Sequence, residues 1–370
     1  MHICFLSNCY GEDRSAALIA RELKKLRPQA EITGAPLISW GREYVKRGIP
    51  LFTRARVPPS GGFPTRSLKG LLLDVSAAHV PLKYFLTLRK RRADIDYAVV
   101  VGDLPLLILG YLALRKQILF LAPAKSDYQR PHYRIEEFFM RTIPWKVLTH
   151  DEYTAENLRK KGISALFLGN PMMDELVPRG INLGEPPIVG ILPGSRSEAY
   201  KNLTKILKVV ERVKETVTFV CALPQSLEIG KIVRLIRKDK WVYANGVFKK
   251  NERTVLVVRK GFEDVISESE IVIGLAGTGN EQAAGLGKPV VSFTGYGPQT
   301  TLRRMKDQAR LLGAAVKFVS DFPNGVATEI SFLLSNPEER TRRGKIGSVR
   351  MGPPGGARNI ANLLVKHFNL

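Results

Sequence analysis

Short, uniformly apolar runs alternate along this chain with stretches whose apolar residues recur at helical spacing. Ile3-Cys4-Phe5-Leu6 is the first run; Gly11 and polar residues follow, then Ala17, Leu18, Leu23 and Leu26 mark one face of a predicted helix. The order returns at Ile188–Leu192, followed by Pro193-Gly194-Ser195-Arg196 and a helix carrying Leu203, Ile206, Leu207 and Val210. Strand, glycine turn and helix in that order open a doubly wound α/β unit. Each half continues in the same way. The first predicts strands at Tyr97–Val101, Ile118–Leu121, Lys146–Leu148 and Ala165–Leu168. The second predicts them at Val217–Ala222, Val255–Val258, Ile271–Gly274, Val290–Phe293 and Val316–Val319. Strands apolar on both faces suit parallel sheets covered by helices on each side. The longest uncharged apolar stretch, Leu104 to Leu114, has 11 residues. That is too short to span a bilayer and reads as a core helix.

Punctuation divides the chain. Gly169 to Pro187, rich in Gly and Pro, is the predicted linker between domains at 1–168 and 188–345. A second break, Gly352-Pro353-Pro354-Gly355-Gly356, precedes an amphipathic helix from about Ala357 to His367. The predicted architecture is α/β, with two doubly wound Rossmann-like domains facing each other across a cleft.

Two segments carry candidate chemistry. Pro193-Gly194-Ser195-Arg196 lies between a strand and a helix, where glycine permits close backbone approach and helical N–H groups favour a phosphate. Ser195 adds a hydroxyl and Arg196 a cationic fork. The same residues also read as an ordinary turn, with Ser195 as N-cap and Glu198 completing a capping box. The second segment runs from Gly274 to Val291. Gly277, Thr278, Gly279 and Asn280 can offer donors to a diphosphate, and Glu281 can accept from ribose hydroxyls. Glu281 also suits the dipole of a first helical turn. No Gly-Lys-Ser/Thr follows, so this is not a Walker A loop.

Leu192-Pro193-Gly194-Ser195-Arg196-Ser197-Glu198, the segment from Gly277-Thr278 to Val291, and Gly169-Asn170-Pro171-Met172-Met173-Asp174-Glu175 resemble lipid-A-disaccharide synthase. They resemble still more closely a group of proteins related to that enzyme, as do Gly295-Tyr296-Gly297-Pro298-Gln299-Thr300 and the stretch from Gln308 to Gly313. The resemblance runs in order along nearly the whole chain. It implies the GT-B fold, with the C-terminal helix (356–370) returning to the N-terminal domain. It further implies an inverting glycosyltransferase that needs no bound metal or other cofactor and takes its sugar from a nucleotide sugar, a UDP-sugar by preference. The acceptor would be a lipid at a membrane surface, and Gln299 would join the nucleotide-sugar site. The chain departs from the synthase in two places. It has Gly11-Glu12-Asp13-Arg14-Ser15-Ala16 where the enzyme has a Gly-Glu-Ala-Ser-Gly-Asp type of motif, and Asn170 where the enzyme usually has a linker histidine.

Inversion needs one general base on the acceptor hydroxyl. Asp103 directly follows strand Tyr97–Val101, at the end of a parallel strand where ligands gather. Asp103-Leu104-Pro105 also matches the family's Asp-x-Pro position, which implies a catalytic role. Asp103 is equally a good N-cap; Asp13 and Glu12 are the reserve candidates. Asp94-Ile95-Asp96 looks superficially like a metal motif and reads better as solvated strand-end carboxylates.

Charge changes the picture more than composition does. Lys and Arg number 57 against 34 Asp and Glu, a net charge of +23, which calls for an anionic partner. Twelve of those cations lie from Gly41 to Arg92 against Glu43 and Asp74, among Leu51-Phe52, Phe63, Leu71-Leu72-Leu73 and Tyr84-Phe85-Leu86. Apolar clusters framed by cations predict contact with an anionic membrane surface; the other reading makes Leu71–Leu73 and Leu82–Leu88 core faces of two helices under a solvated charged surface. Nucleic acid is not expected, since no helix-turn-helix, zinc finger or RNP strand accompanies the charge. Cys4, Cys9 and Cys221 form no framework or metal spacing, and Met1 to Ser7 read as a first strand rather than an export signal. The expected location is therefore cytoplasmic, peripheral to the inner face of the plasma membrane. Two other readings stay open: a UDP-sugar epimerase of the same fold, and a non-catalytic protein that binds nucleotide sugar or lipid.

Overall fold

The computed structural model describes residues 1–53 and 79–368. The chain forms two compact units. One comprises Met1–Asp174 and the chain from Pro354 onward; the other is Glu175–Pro353. The expected linker is thus divided, its first six residues belonging to the first unit and the rest to the second.

The first unit runs β1 (His2–Ser7), α1 (Tyr10–Leu26), β2 (Glu31–Pro36), α2 (Arg42–Val45), α3 (His79–Lys90), β3 (Tyr97–Val101), α4 (Leu104–Leu114), β4 (Gln117–Ala122), α5 (Arg134–Thr142), β5 (Lys146–Thr149), α6 (Glu152–Lys160) and β6 (Ala165–Leu166). All its strands are parallel, in the order β2-β1-β3-β4-β5-β6. Alternate side chains of β1 go to opposite faces: Cys4 and Leu6 join one core, Ile3 and Phe5 the other. This is why the run is apolar throughout.

The second unit runs β7 (Ile188–Leu192), α7 (Ala199–Val210), β8 (Thr218–Ala222), α8 (Ile229–Ile236), β9 (Val242–Ala244), β10 (Val247–Lys250), β11 (Arg253–Val258), α9 (Phe262–Glu268), β12 (Ile271–Gly274), α10 (Thr278–Gly285), β13 (Val290–Ser292), α11 (Leu302–Leu312), β14 (Val316–Phe318), α12 (Asn324–Ser335) and α13 (Pro337–Met351). Its order is β14-β13-β12-β7-β8-β11-β10-β9, with β10 antiparallel to both its neighbours, β9 and β11, and the other pairs parallel. The last helix, α14 (Gly356–Phe368), belongs to the first unit, where Ala357, Ile360, Ala361 and Leu364 share a core with Ala17, Ala20 and Leu23 of α1. Asp174 clasps its start, accepting from the N–H groups of Gly355 (2.6 Å), Gly356 (3.1 Å) and Ala357 (2.7 Å).

Three strands escape the apolar-run criterion. β2 mixes Glu31 and Thr33 with the small residues Gly34 and Ala35 at a sheet edge. β9 and β10 are joined by Asn245-Gly246, both with positive φ (50° and 77°), the backbone of a two-residue hairpin. Asn-Gly between Val-Tyr-Ala and Val-Phe is a legible hairpin signal.

Candidate functional site

In each sheet the chain starts at an inner strand and winds first to one side, then to the other. Ligands of doubly wound sheets bind beyond the C-terminal ends of the strands at that reversal. The reversals lie between β7 and β12 in the second unit and between β1 and β3 in the first.

At the first of these, Leu192 pairs with Gly274, so the two strands end side by side. The amide of Leu275 donates to the Leu192 carbonyl at 2.8 Å, and the two turns leave the sheet together. Gly194 takes φ +101°, a conformation that favours glycine, and a Cβ there would stand 3.4 Å from the Leu275 carbonyl. Ser195 and Arg196 are exposed in this turn. The alternative reading, a Ser195 cap with a capping box, is not realised: α7 begins at Ala199 with Glu198 as N-cap residue, because residues 195–198 make a separate turn first.

The second turn enters α10 at Thr278. Gly277 and Thr278 are exposed, Gly279 is half-buried, and Glu281 is half-buried in the first helical turn. The first N–H groups of a helix have no partner within it, so this end favours an anion. Asn280 corrects the sequence reading. It is fully buried, and its amide donates to the Gly274 carbonyl (3.2 Å) and to Gln308 Oε1 (2.8 Å). A donor committed on both sides shapes the turn and does not face a ligand. The loop after β13 completes the group. Buried Asn202 accepts from the Tyr296 N–H at 2.6 Å, and Gly297 lies on Glu198, whose Cγ would be 2.8 Å from an added Cβ. Half-buried Gln299 is carried on this loop, against the 195–198 turn.

In the first unit, Asn8, Cys9 and Glu12 follow β1, and Asp103 follows β3. Asp103 is exposed. Its Oδ1 accepts from the Leu106 N–H at 3.1 Å, capping α4, and its Oδ2 accepts from Asn8 Nδ2 at 3.0 Å. The N-cap reading is therefore realised, and Asn8, which carries no motif of its own, sets the other oxygen. Burial and the neighbouring Asp103 charge push the Glu12 carboxyl up, against a hydrogen bond donated by Cys9. Burial likewise pushes the Cys9 thiol up to about 12. Asp13 leaves the list of reacting groups, since it is completely buried and accepts hydrogen bonds from the Ser7 and Ser39 hydroxyls. Asp94 and Asp96 sit before β3, at the opposite end of that strand from Asp103. Asp94 pairs with Arg91, and Asp96 accepts from the His2 N–H.

Beside Asp103 runs an apolar groove of about 490 Å³ between α3 and α4, lined by Leu82, Phe85, Pro105, Ile108, Leu109 and Leu112 among others. Leu82, Leu86 and Leu112 are exposed, as are Arg89, Lys90 and Arg115 nearby. The stretch from Arg54 to Ala78, which includes Phe63 and Leu71-Leu72-Leu73, lies outside the described residues. Among the described residues no helix is long and apolar enough to cross a membrane.

Comparison with known proteins gives a consistent picture. No family model matches the chain. It is 24% identical over 312 residues to a lipid-A-disaccharide synthase of Solibacter usitatus, covering 76% of this chain and 71% of that protein. Its structure matches MurG of Acinetobacter baumannii with a TM-score of 0.63 at 15% identity, over 99% of each chain. It also matches the UDP-GlcNAc 2-epimerase of Neisseria meningitidis, bound to UDP-GlcNAc, with a TM-score of 0.60 at 16% identity over 100% of both. The fold is GT-B, as the motifs implied, and the sequence similarity lies with lipid-A-disaccharide synthase.

Proposed function

We propose that this chain is an inverting glycosyltransferase that needs no metal and moves a sugar from a UDP-sugar to a lipid acceptor at a membrane surface. One observation carries the reading: the two glycine turns leave adjacent strand ends at the reversal of the second sheet. There the N–H groups opening α10, with Ser195, Arg196 and Thr278, would hold the diphosphate and stabilise its charge as it leaves. Glu281 would accept from the ribose. In the first unit the Asp103 carboxylate would take the proton of the acceptor hydroxyl as its oxygen bonds to the anomeric carbon and the bond to the diphosphate breaks. Asn8 would orient Asp103 through its hydrogen bond to Oδ2. The groove between α3 and α4 begins two residues past that carboxylate, where an acceptor's apolar portion would lie.

The test is a titration of UDP and UDP-sugars by calorimetry, followed by turnover with lipid acceptors. Glu281→Ala is expected to weaken UDP binding without altering the melting temperature. Asp103→Asn is expected to lower transfer by about 10²–10⁴ while UDP binding persists. Undiminished turnover in that variant removes Asp103 from the mechanism. The full-length match to an epimerase supports a second reading, in which UDP-sugar is converted with no acceptor present. The same assay separates the two.

A further inference from the structure

Gly277 has nothing within 4 Å of where a Cβ would stand, so side-chain packing does not confine this residue. Hydrogen bonds do. Its carbonyl accepts from the Asn280 N–H (3.1 Å), the Glu281 N–H (3.3 Å) and the side-chain amide of Gln308 on α11 (Nε2, 2.9 Å). Gln308 is 7% exposed, and its Oε1 accepts from Asn280 Nδ2, which also donates to the Gly274 carbonyl. The amide orientations are forced, since the Gly274 and Gly277 carbonyls can only accept. The result is a short chain of buried amides linking both ends of the turn to α11. In a trans peptide N–H and C=O point in opposite directions. A Gly277 carbonyl held by Gln308 therefore aims the Thr278 N–H away from α11, into the position a diphosphate would occupy.

The other turn has a counterpart. Asn202, fully buried on α7, donates to the Pro193 carbonyl at 3.4 Å and accepts from the Tyr296 N–H at 2.6 Å. Gly295 makes room for it, since a Cβ there would come within 2.6 Å of Asn202 Oδ1. Each glycine turn is thus tied by one buried amide to the segment after β13, Asn202 reaching its loop and Gln308 its helix. A buried amide is costly unless its bonds are made, and apolar side chains would serve packing alone at both places.

We propose that Gln308, seconded by Asn202, is a positioning residue for the diphosphate, so that three chain segments and not two set the geometry of the anion site. The proposal rests on the nucleotide reading above. The experiment measures UDP and uridine affinities of the wild-type chain, Gln308→Met and the isosteric Gln308→Glu, with circular dichroism as the check on folding. The wild type is expected to bind UDP more tightly than uridine. Each variant is expected to lose about tenfold in UDP affinity and little in uridine affinity. A merely structural role would weaken both ligands by the same factor. An unchanged ratio of UDP to uridine affinity in either folded variant overturns the proposal. A wild-type chain that binds neither ligand overturns the nucleotide reading itself.

Discussion

Asp13 shows how far a residue's surroundings can redirect its chemistry. As an acid two residues past Gly11 it is, on sequence, a reserve candidate for the base. In the structure it is a buried carboxyl pushed up to about 6 from an ordinary 3.8, first by burial and further by Glu12 and Glu43, although the Ser39 and Ser7 hydroxyls oppose the shift. The Ser7 hydroxyl also meets the Tyr44 hydroxyl at 2.7 Å, so Asp13 anchors the segment around Ser39 and Tyr44 to β1. Because the folded state holds this proton more tightly than the unfolded chain, the associated stability is complete below about pH 4. It is lost as pH rises through about 6. Asp13→Asn removes that dependence. The stability of the variant relative to wild type is expected to rise by at most ~3 kcal/mol between pH 4 and pH 7 in urea unfolding. A difference that stays flat with pH refutes the assignment. Asn280 and Asp103 teach the same lesson in opposite directions. Residue type alone makes both candidates to face a ligand; Asn280 is buried, whereas Asp103 is exposed beside Asn8.

Among the elements, α13 is the clearest case of tertiary contact overruling local preference. Alanine is a better helix former than glycine by about 1 kcal/mol. Yet a Cβ at Gly344 would lie 2.1 Å from the Gly287 carbonyl, and one at Gly347 2.3 Å from the Ala284 carbonyl. These glycines let α13 lie against the backbone of α10, the helix that presents Thr278 and Glu281. Gly347→Ala is therefore expected to destabilise by about 1–3 kcal/mol and to weaken UDP binding as α10 shifts. Gly230→Ala, in α8 with open space around it, should be neutral or stabilising by up to about 1 kcal/mol. Equal effects of the two substitutions in thermal unfolding would refute this account. The elements themselves were largely readable. Strands buried on both faces must be apolar throughout, so β1, β3, β4, β5, β7, β8, β12 and β13 stand out. The edge strands β2 and β9 have no such requirement, and β10, paired between β9 and β11, is short and part-exposed, so none of the three shows an apolar run. The alternative reading of Ser195 as an N-cap is not realised, because a turn and a helix N-terminus favour the same residues.

Over the whole molecule the +23 charge is the largest unbalanced quantity. Beside the apolar α3–α4 groove, each cation near an anionic leaflet contributes ~1 kcal/mol. Flotation with vesicles containing anionic lipid is expected to carry the protein at low salt and to release it as the Debye length falls below about 8 Å. Neutral vesicles should carry far less. Failure to float at low ionic strength would sink the membrane part of the proposed function. The fold class, the twofold repetition of strand, glycine turn and helix, and the two polar segments are all legible in the order of residues alone. These follow from periodicity and from backbone requirements that only a few residue types meet. Which of those segments meet, and which polar side chains are spent on the scaffold, depends on the folded chain. Strand order places the ends of β7 and β12 together and those of β1 and β3 together. Asn280, Asn202 and Gln308 reveal their roles only through partners distant in the chain, and no local pattern encodes which carbonyl a buried amide will find.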